Sequence, residues 1–148
     1  MKKGILAFAL CLIATKAVAY TEADIHCLAT AMLMEAGNQR HEGQRAVASV
    51  ILNRANAWNK SVCAVVTQPA QFSWYKRERT MYSYHKGDKR YPDLFMKAVV
   101  YLAAHKQDMF ASNVGKAMFF HTNNLQPSWT KRMIRVAVIQ DHTFWKLK

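Results

Sequence analysis

Residues 21–38 read TEADIHCLATAMLMEAGN, and this stretch decides how the rest of the chain can be arranged. Ile25, Leu28, Ala29 and Met32 recur at helical spacing and lay one apolar stripe along a helix. Thr21 stands where an N-cap hydroxyl is wanted, and Asp24 follows three residues on to complete a capping pair. Gly37-Asn38 is a common C-terminal signal. The spacing therefore predicts a helix from Thr21 to about Ala36 with one buried face. Glu35 lies three residues after Met32 and seven after Leu28, so it continues that face. Burying a carboxylate is costly, and desolvation raises its pKa, which suits a general acid working near neutral pH. The competing reading is a solvated carboxylate on the helix's last turn.

The flanking segments build a small α+β domain around that helix. A second helix is expected from Glu42 to about Ala55, burying Ala46, Val47, Val50 and Ile51. Residues 68–91 are rich in aromatics and charge without a clear period, which reads as a long loop or an irregular hairpin. Pro92, favourable in a first turn, opens a third helix to about Lys106. Ala117–His121 and Ile134–Ile139 look like strands. No internal repeat, low-complexity tract or Gly/Ser-rich linker divides the chain.

The N-terminus has the form of an export leader. Met1-Lys2-Lys3 is basic, Gly4 to Thr15 is almost wholly apolar, and Ala17-Val18-Ala19 offers small residues to a signal peptidase. Cleavage is expected between Ala19 and Tyr20, leaving residues 20–148 as one domain. The apolar run is short for a permanent bilayer span, and Lys16 interrupts it, although a retained weak anchor is the alternative. Membrane contact is expected only through this leader. The formal charge is +12, and loss of Lys2, Lys3 and Lys16 leaves +9, a balance that favours polyanions. Export makes nucleic acid the least fitting of these and leaves anionic lipid or acidic wall polymers.

Cysteine usage agrees with export. Cys11 goes with the leader, and Cys27 and Cys63 remain as an even pair. A bridge between them would close a loop of about 37 residues and contribute roughly 4 kcal/mol on the chain-entropy model; the alternative is two buried thiols.

Several blocks then carry a resemblance to a known family. Glu35-Ala36-Gly37-Asn38-Gln39, Glu42-Gly43-Gln44-Arg45-Ala46-Val47-Ala48 and Val50-Ile51-Leu52-Asn53-Arg54 are followed by Ser61-Val62-Cys63-Ala64-Val65-Val66 and Gln71-Phe72-Ser73-Trp74. Phe119-Phe120-His121, Pro127-Ser128-Trp129 and His142-Thr143-Phe144-Trp145 complete the series. In this order the blocks resemble the spore-cortex-lytic type of bacterial cell-wall hydrolase, from about Asp24 to Trp145. The resemblance implies a lysozyme-like single catalytic domain. It also implies cleavage of peptidoglycan glycan strands between N-acetylmuramic acid and N-acetylglucosamine, with Glu35 at the family's catalytic position. Many members carry a second glutamate where Gln39 stands here.

The residues themselves bear on the chemistry. Glycosidases generally need two carboxylates, and among nine acidic residues only Asp141 and Glu42 suggest a second. A lytic transglycosylase needs one, which favours Glu35 as both acid and base, with a hydrolytic muramidase as the alternative. Phe72, Trp74 and Trp129 are candidates for stacking on sugar rings, and Gln71, Ser73, His121 and Asn123 for polar contacts. Core packing is the competing role for Phe72 and Trp129, and the expected one for Trp145. Tyr75, Tyr82 and Tyr84, interleaved with Lys76, Arg77, Arg79 and Lys86, could grip a wall polymer or simply form a solvated loop. A zinc amidase is a rival, but His41-Glu42 is followed by Arg45 where a zincin has its second histidine. No metal and no other cofactor is expected, and the enzyme is expected to act as a monomer. A non-enzymatic, cationic wall-binding protein would explain the charge but not the ordered blocks. A serine hydrolase lacks its Gly-x-Ser-x-Gly signal.

Overall fold

The structure, a computed structural model, describes residues 19–148. Residues 1–18, with most of the expected leader and Cys11, lie outside them. Among the described residues no helix is long and apolar enough to cross a membrane.

Helix α1 spans Glu22–Ala36 and starts as its sequence requires. The Thr21 hydroxyl accepts from the Asp24 N–H at 3.2 Å, and the Asp24 carboxylate accepts from the Thr21 N–H at 3.1 Å. Leu28, Ala29 and Met32 are fully buried, whereas Ile25 is only partly so. The single stripe proves too narrow a description, because the run from Cys27 to Leu33 is buried without a gap. The reason is tertiary: α2 (His41–Trp58), α3 (Val62–Val66), α4 (Met81–His85) and α5 (Tyr91–Lys106) all pack around α1. That wrapping ends at Met34, which is exposed, and Glu35 follows it half-buried.

Asp24 also joins α1 to α3, since its second oxygen accepts from the Cys63 N–H at 2.9 Å. The Cys27–Cys63 disulfide forms beside it, with Cα atoms 5.2 Å apart. Asp24→Ala leaves the Thr21 and Cys63 N–H groups without their acceptor and is expected to cost about 2 kcal/mol. Thr21→Ala removes only the cap and should cost about half that. Thermal unfolding of the two variants checks the ranking.

Helix α2 sits between two cores. Val47, Ala48, Ile51, Leu52 and Ala55 face the helical cluster, and Ala46 and Val50 face a second one with Val114, Ala117 and Phe144. Ala46, Val47, Val50 and Ile51 are thus buried as the sequence indicates, although the helix begins and ends beyond the expected Glu42–Ala55. The second cluster lies under a three-stranded antiparallel sheet in the order β1 (Phe119–Thr122), β3 (His142–Leu147), β2 (Met133–Ile139). Phe120 pairs with Phe144, His121 with Thr143, and Phe119 with Trp145, while an irregularity interrupts the β2–β3 pairing between Arg135 and Ala137. A 3-10 turn at Ser128–Arg132 precedes β2.

Residues 68–91 are turns with the short α4 among them and no strand, so the loop reading holds and the hairpin reading does not. The Tyr84 hydroxyl caps that loop on itself by accepting from the Lys76 N–H at 2.7 Å. Trp145 is not in the core: it packs on the outer sheet face against Trp129 and His121. His26 has a structural role, its Nδ1 lying 2.7 Å from the Tyr91 hydroxyl.

Candidate active site

Two latches bring the sheet to the acid. The Asn53 amide donates to the carbonyls of Gly115 and Ala117 at 2.9 and 2.8 Å, and Arg54 Nε donates to the Met118 carbonyl at 2.7 Å. These bonds from α2 fix the segment that leads into β1. Between the C-terminal end of α1, Arg54, the turn at residues 70–73 and the sheet lies a cleft of about 560 Å³.

Glu35 is the only carboxylate lining this cleft among the described residues. Its Oε1 accepts from the Trp74 indole N–H at 2.8 Å. An oxygen that accepts there is the carbonyl-like one, so the acidic proton belongs on Oε2. Burial raises the Glu35 carboxyl above its ordinary value, against the opposing pulls of the Trp74 hydrogen bond and the Arg54 cation. The place in the helix acts in the same direction as burial, because Glu35 is the penultimate residue of α1 and the carbonyl end of a helix disfavours an anion. A carboxyl raised in this way at the edge of a solvent-open cleft has the character a proton donor needs.

The other expected site residues divide. Gln71, Phe72, Ser73, His121 and Trp129 line the cleft with Glu35. Ala70, with φ at 63°, takes the left-handed backbone that turns Gln71 and Ser73 into place. Phe72 is only 4% exposed and belongs to the helical core, so it offers the cleft floor little ring surface. Trp74 stands behind the acid rather than on the cleft wall, wedged edge-on against Tyr84 and Tyr75. Trp74→Phe keeps that wedge and removes the N–H. It should lower the rate of wall cleavage by roughly tenfold, with the Glu35 titration displaced upward in a pH profile.

Asn123 is not brought into the cleft. Its amide donates to the Gln140 carbonyl at 2.8 Å and its Oδ1 accepts from Thr143 at 2.8 Å, so the β2–β3 turn consumes it. It lines a neighbouring hollow with Asp141. Glu42, exposed at the start of α2, is outside the cleft lining too.

Two ionisable lining residues were not singled out from the sequence: Arg54 and His142. His142 is buried, and burial is the main cause that lowers its pKa, so its ring is neutral. Its Nδ1 accepts from the Gln39 amide at 2.9 Å. Gln39 therefore serves as a holder of His142. Among the described residues no three His, Cys, Asp or Glu side chains are grouped as a metal would require.

The helices and the small sheet form a lysozyme-like α+β domain with one carboxylate in its cleft among the described residues. Over most of its length this architecture is shared with two solved structures. The catalytic domain of the Bacillus cereus SleB protein matches with a TM-score of 0.62 and 21% identity, over 87% of this chain and 94% of that one. The catalytic domain of the germination-specific lytic transglycosylase SleB from Bacillus anthracis matches with a TM-score of 0.60 and 21% identity, over 87% and 98%. No curated protein matches. Residues 38–145 match the model of the cell wall hydrolase family, and the chain belongs to that family of peptidoglycan-degrading enzymes. The α+β, lysozyme-like expectation and the kinship with spore-cortex-lytic hydrolases both hold. The family match begins three residues after Glu35, so it does not cover that residue.

Proposed function

We propose that the protein is an exported lytic transglycosylase that cuts peptidoglycan glycan strands between N-acetylmuramic acid and N-acetylglucosamine, with Glu35 as its single acid and base. The observation that carries this reading is the cleft with one carboxylate, because hydrolytic glycosidases generally set a second beside the scissile bond. Glu35 Oε2 gives its proton to the glycosidic oxygen, the C1–O bond breaks, and positive charge develops at C1 of the muramyl residue. The muramyl 6-hydroxyl then closes on C1 and returns its proton to Glu35, leaving a 1,6-anhydro end and consuming no water. The Bacillus anthracis protein named above is described as a lytic transglycosylase, which agrees with this chemistry.

In this reading Gln71, Ser73 and His121 bond the N-acetyl and hydroxyl groups, and Trp129 offers a ring face to a sugar. The neutral ring of His142 supports the same wall. The enzyme works as a monomer outside the cytoplasm, where the Cys27–Cys63 bridge persists.

Mass spectrometry of muropeptides released from purified peptidoglycan tests the reading. Anhydro-muramyl ends are expected. Hydrated reducing ends alone would reject the transglycosylase in favour of a muramidase, with Asp141 of the neighbouring hollow as the first partner to examine.

A further inference from the structure

Arg54 is the one buried arginine or lysine among the described residues, at 5% exposed, and it lines the cleft. Its Nε is spent on the Met118 carbonyl, while Nη1 is buried without a hydrogen-bond partner among the described residues. No carboxylate there comes within 4 Å of its guanidinium. The rings of Trp58, Phe72 and Phe119 surround the cation at 5.6, 5.6 and 5.7 Å. Ring faces attract a cation but supply no counter-charge, and a buried charge without one is costly. The latch to the sheet does not explain the cost, because the neighbouring Asn53 makes two bonds of the same kind with a neutral amide.

The anion that would balance Arg54 exists only part of the time. In the resting acid Glu35 is neutral, and the cleft wall holds an uncompensated positive charge. Once Glu35 has given its proton away, carboxylate and guanidinium offset each other in the same low-dielectric wall. We propose that Arg54 is a positioning residue whose charge is held in reserve for ionised Glu35, the state that lasts from proton donation until proton recovery. This rests on Glu35 being the acid and base, and it adds what makes that acid willing to ionise in a buried place. Burial draws the guanidinium itself down to about 10, against the pull of Glu35. The other groups facing Glu35 are the neutral Trp74 indole from the loop, His121 from β1 and His142 from β3. The rings of His121 and His142 give NMR signals of their own, which keeps them apart from the Glu35 carboxyl carbon and the Arg54 side-chain nitrogens.

The test uses the 20–148 chain. In the wild type, the ¹⁵N signals of the Arg54 side chain should move at the midpoint at which the Glu35 ¹³C carboxyl titrates, and Glu35→Gln should abolish that step. Arg54→Met should lower the plateau rate roughly 100-fold and move the alkaline limb of the pH profile upward. Arg54→Lys, which keeps the charge, should restore the limb to its wild-type position. Arg54 signals that ignore the Glu35 titration overturn the proposal, and this measurement decides even where Arg54→Met does not fold. A folded Arg54→Met with the wild-type limb overturns it as well. Glu35→Gln that cleaves glycan normally would instead reject the acid assignment itself.

Discussion

Glu35→Gln is expected to lower fragment release from purified peptidoglycan by about 10³-fold or more while leaving the domain folded. Glutamine has the same length, and its carbonyl can still accept the Trp74 N–H that now reaches Oε1. What it lacks is the proton on the second oxygen. The variant should even be the more stable protein at neutral pH. Burial is the main reason that the Glu35 carboxyl lies above its ordinary value when folded, so the folded state binds this proton more tightly than the unfolded chain. Stability from this group is therefore complete below the ordinary glutamate range and is lost as pH rises through the raised folded value. Glutamine carries no such dependence. The melting temperature of Glu35→Gln should exceed that of the wild type at pH 7, and the gap should close toward pH 4. The same titration sets the activity, which needs the protonated form and should decline along an alkaline limb. A folded variant that retains full activity would sink the acid assignment.

Opening the Cys27–Cys63 bridge is expected to cost about 4 kcal/mol, or roughly 12–20 °C in melting temperature for a domain of this size. The bond joins α1 to α3 across a separation of 36 residues, and α3 is only five residues long. An isolated helix of that length is not stable in water. Its place depends on the bridge, on the Asp24–Cys63 hydrogen bond and on the burial of Val62, Val65 and Val66. Activity at 25 °C should nevertheless survive in Cys63→Ala. Cys27 lies eight residues before Glu35 on α1, roughly 12 Å along the helix axis, and no bridge atom reaches the cleft. Melting curves with and without reductant give the number directly. An unchanged midpoint would mean that packing alone holds α3.

The three long helices were legible from apolar residues at helical spacing in α1 and α2 and from a boundary signal at two of them, Thr21 for α1 and Pro92 for α5. Helix α3 reads Val-Cys-Ala-Val-Val, too short and too uniformly apolar to show a period. Strand β3 escaped for a different reason. As the central strand it is buried at His142, Thr143 and Phe144 in succession, so no in-and-out alternation marks it. The cleft divides in the same way. Glu35, Gln71, Phe72, Ser73, His121 and Trp129 could be named because they stand in family-like blocks, and the fold does bring them together. Asn123 and Trp74 could not be placed, since only the tertiary structure shows which backbone or carboxylate claims their side chains. Arg54 had a local signal that went unused. It follows Val50 by four residues and Ile51 by three, so a charged residue sits on the buried face of α2.

The order of the strands has a consequence for biosynthesis. The acid is encoded near the start of the domain, yet the wall opposite it hangs on β3, which leaves the ribosome after every other element of the fold. β1 and β2 pair with β3 and not with each other. A nascent chain that has already made Glu35, Arg54 and Trp74 therefore has no closed cleft until His142 to Leu147 have emerged and threaded between their neighbours. A chain cut short before that point is expected to leave the polymer uncut, because its cleft lacks the wall that β3 holds.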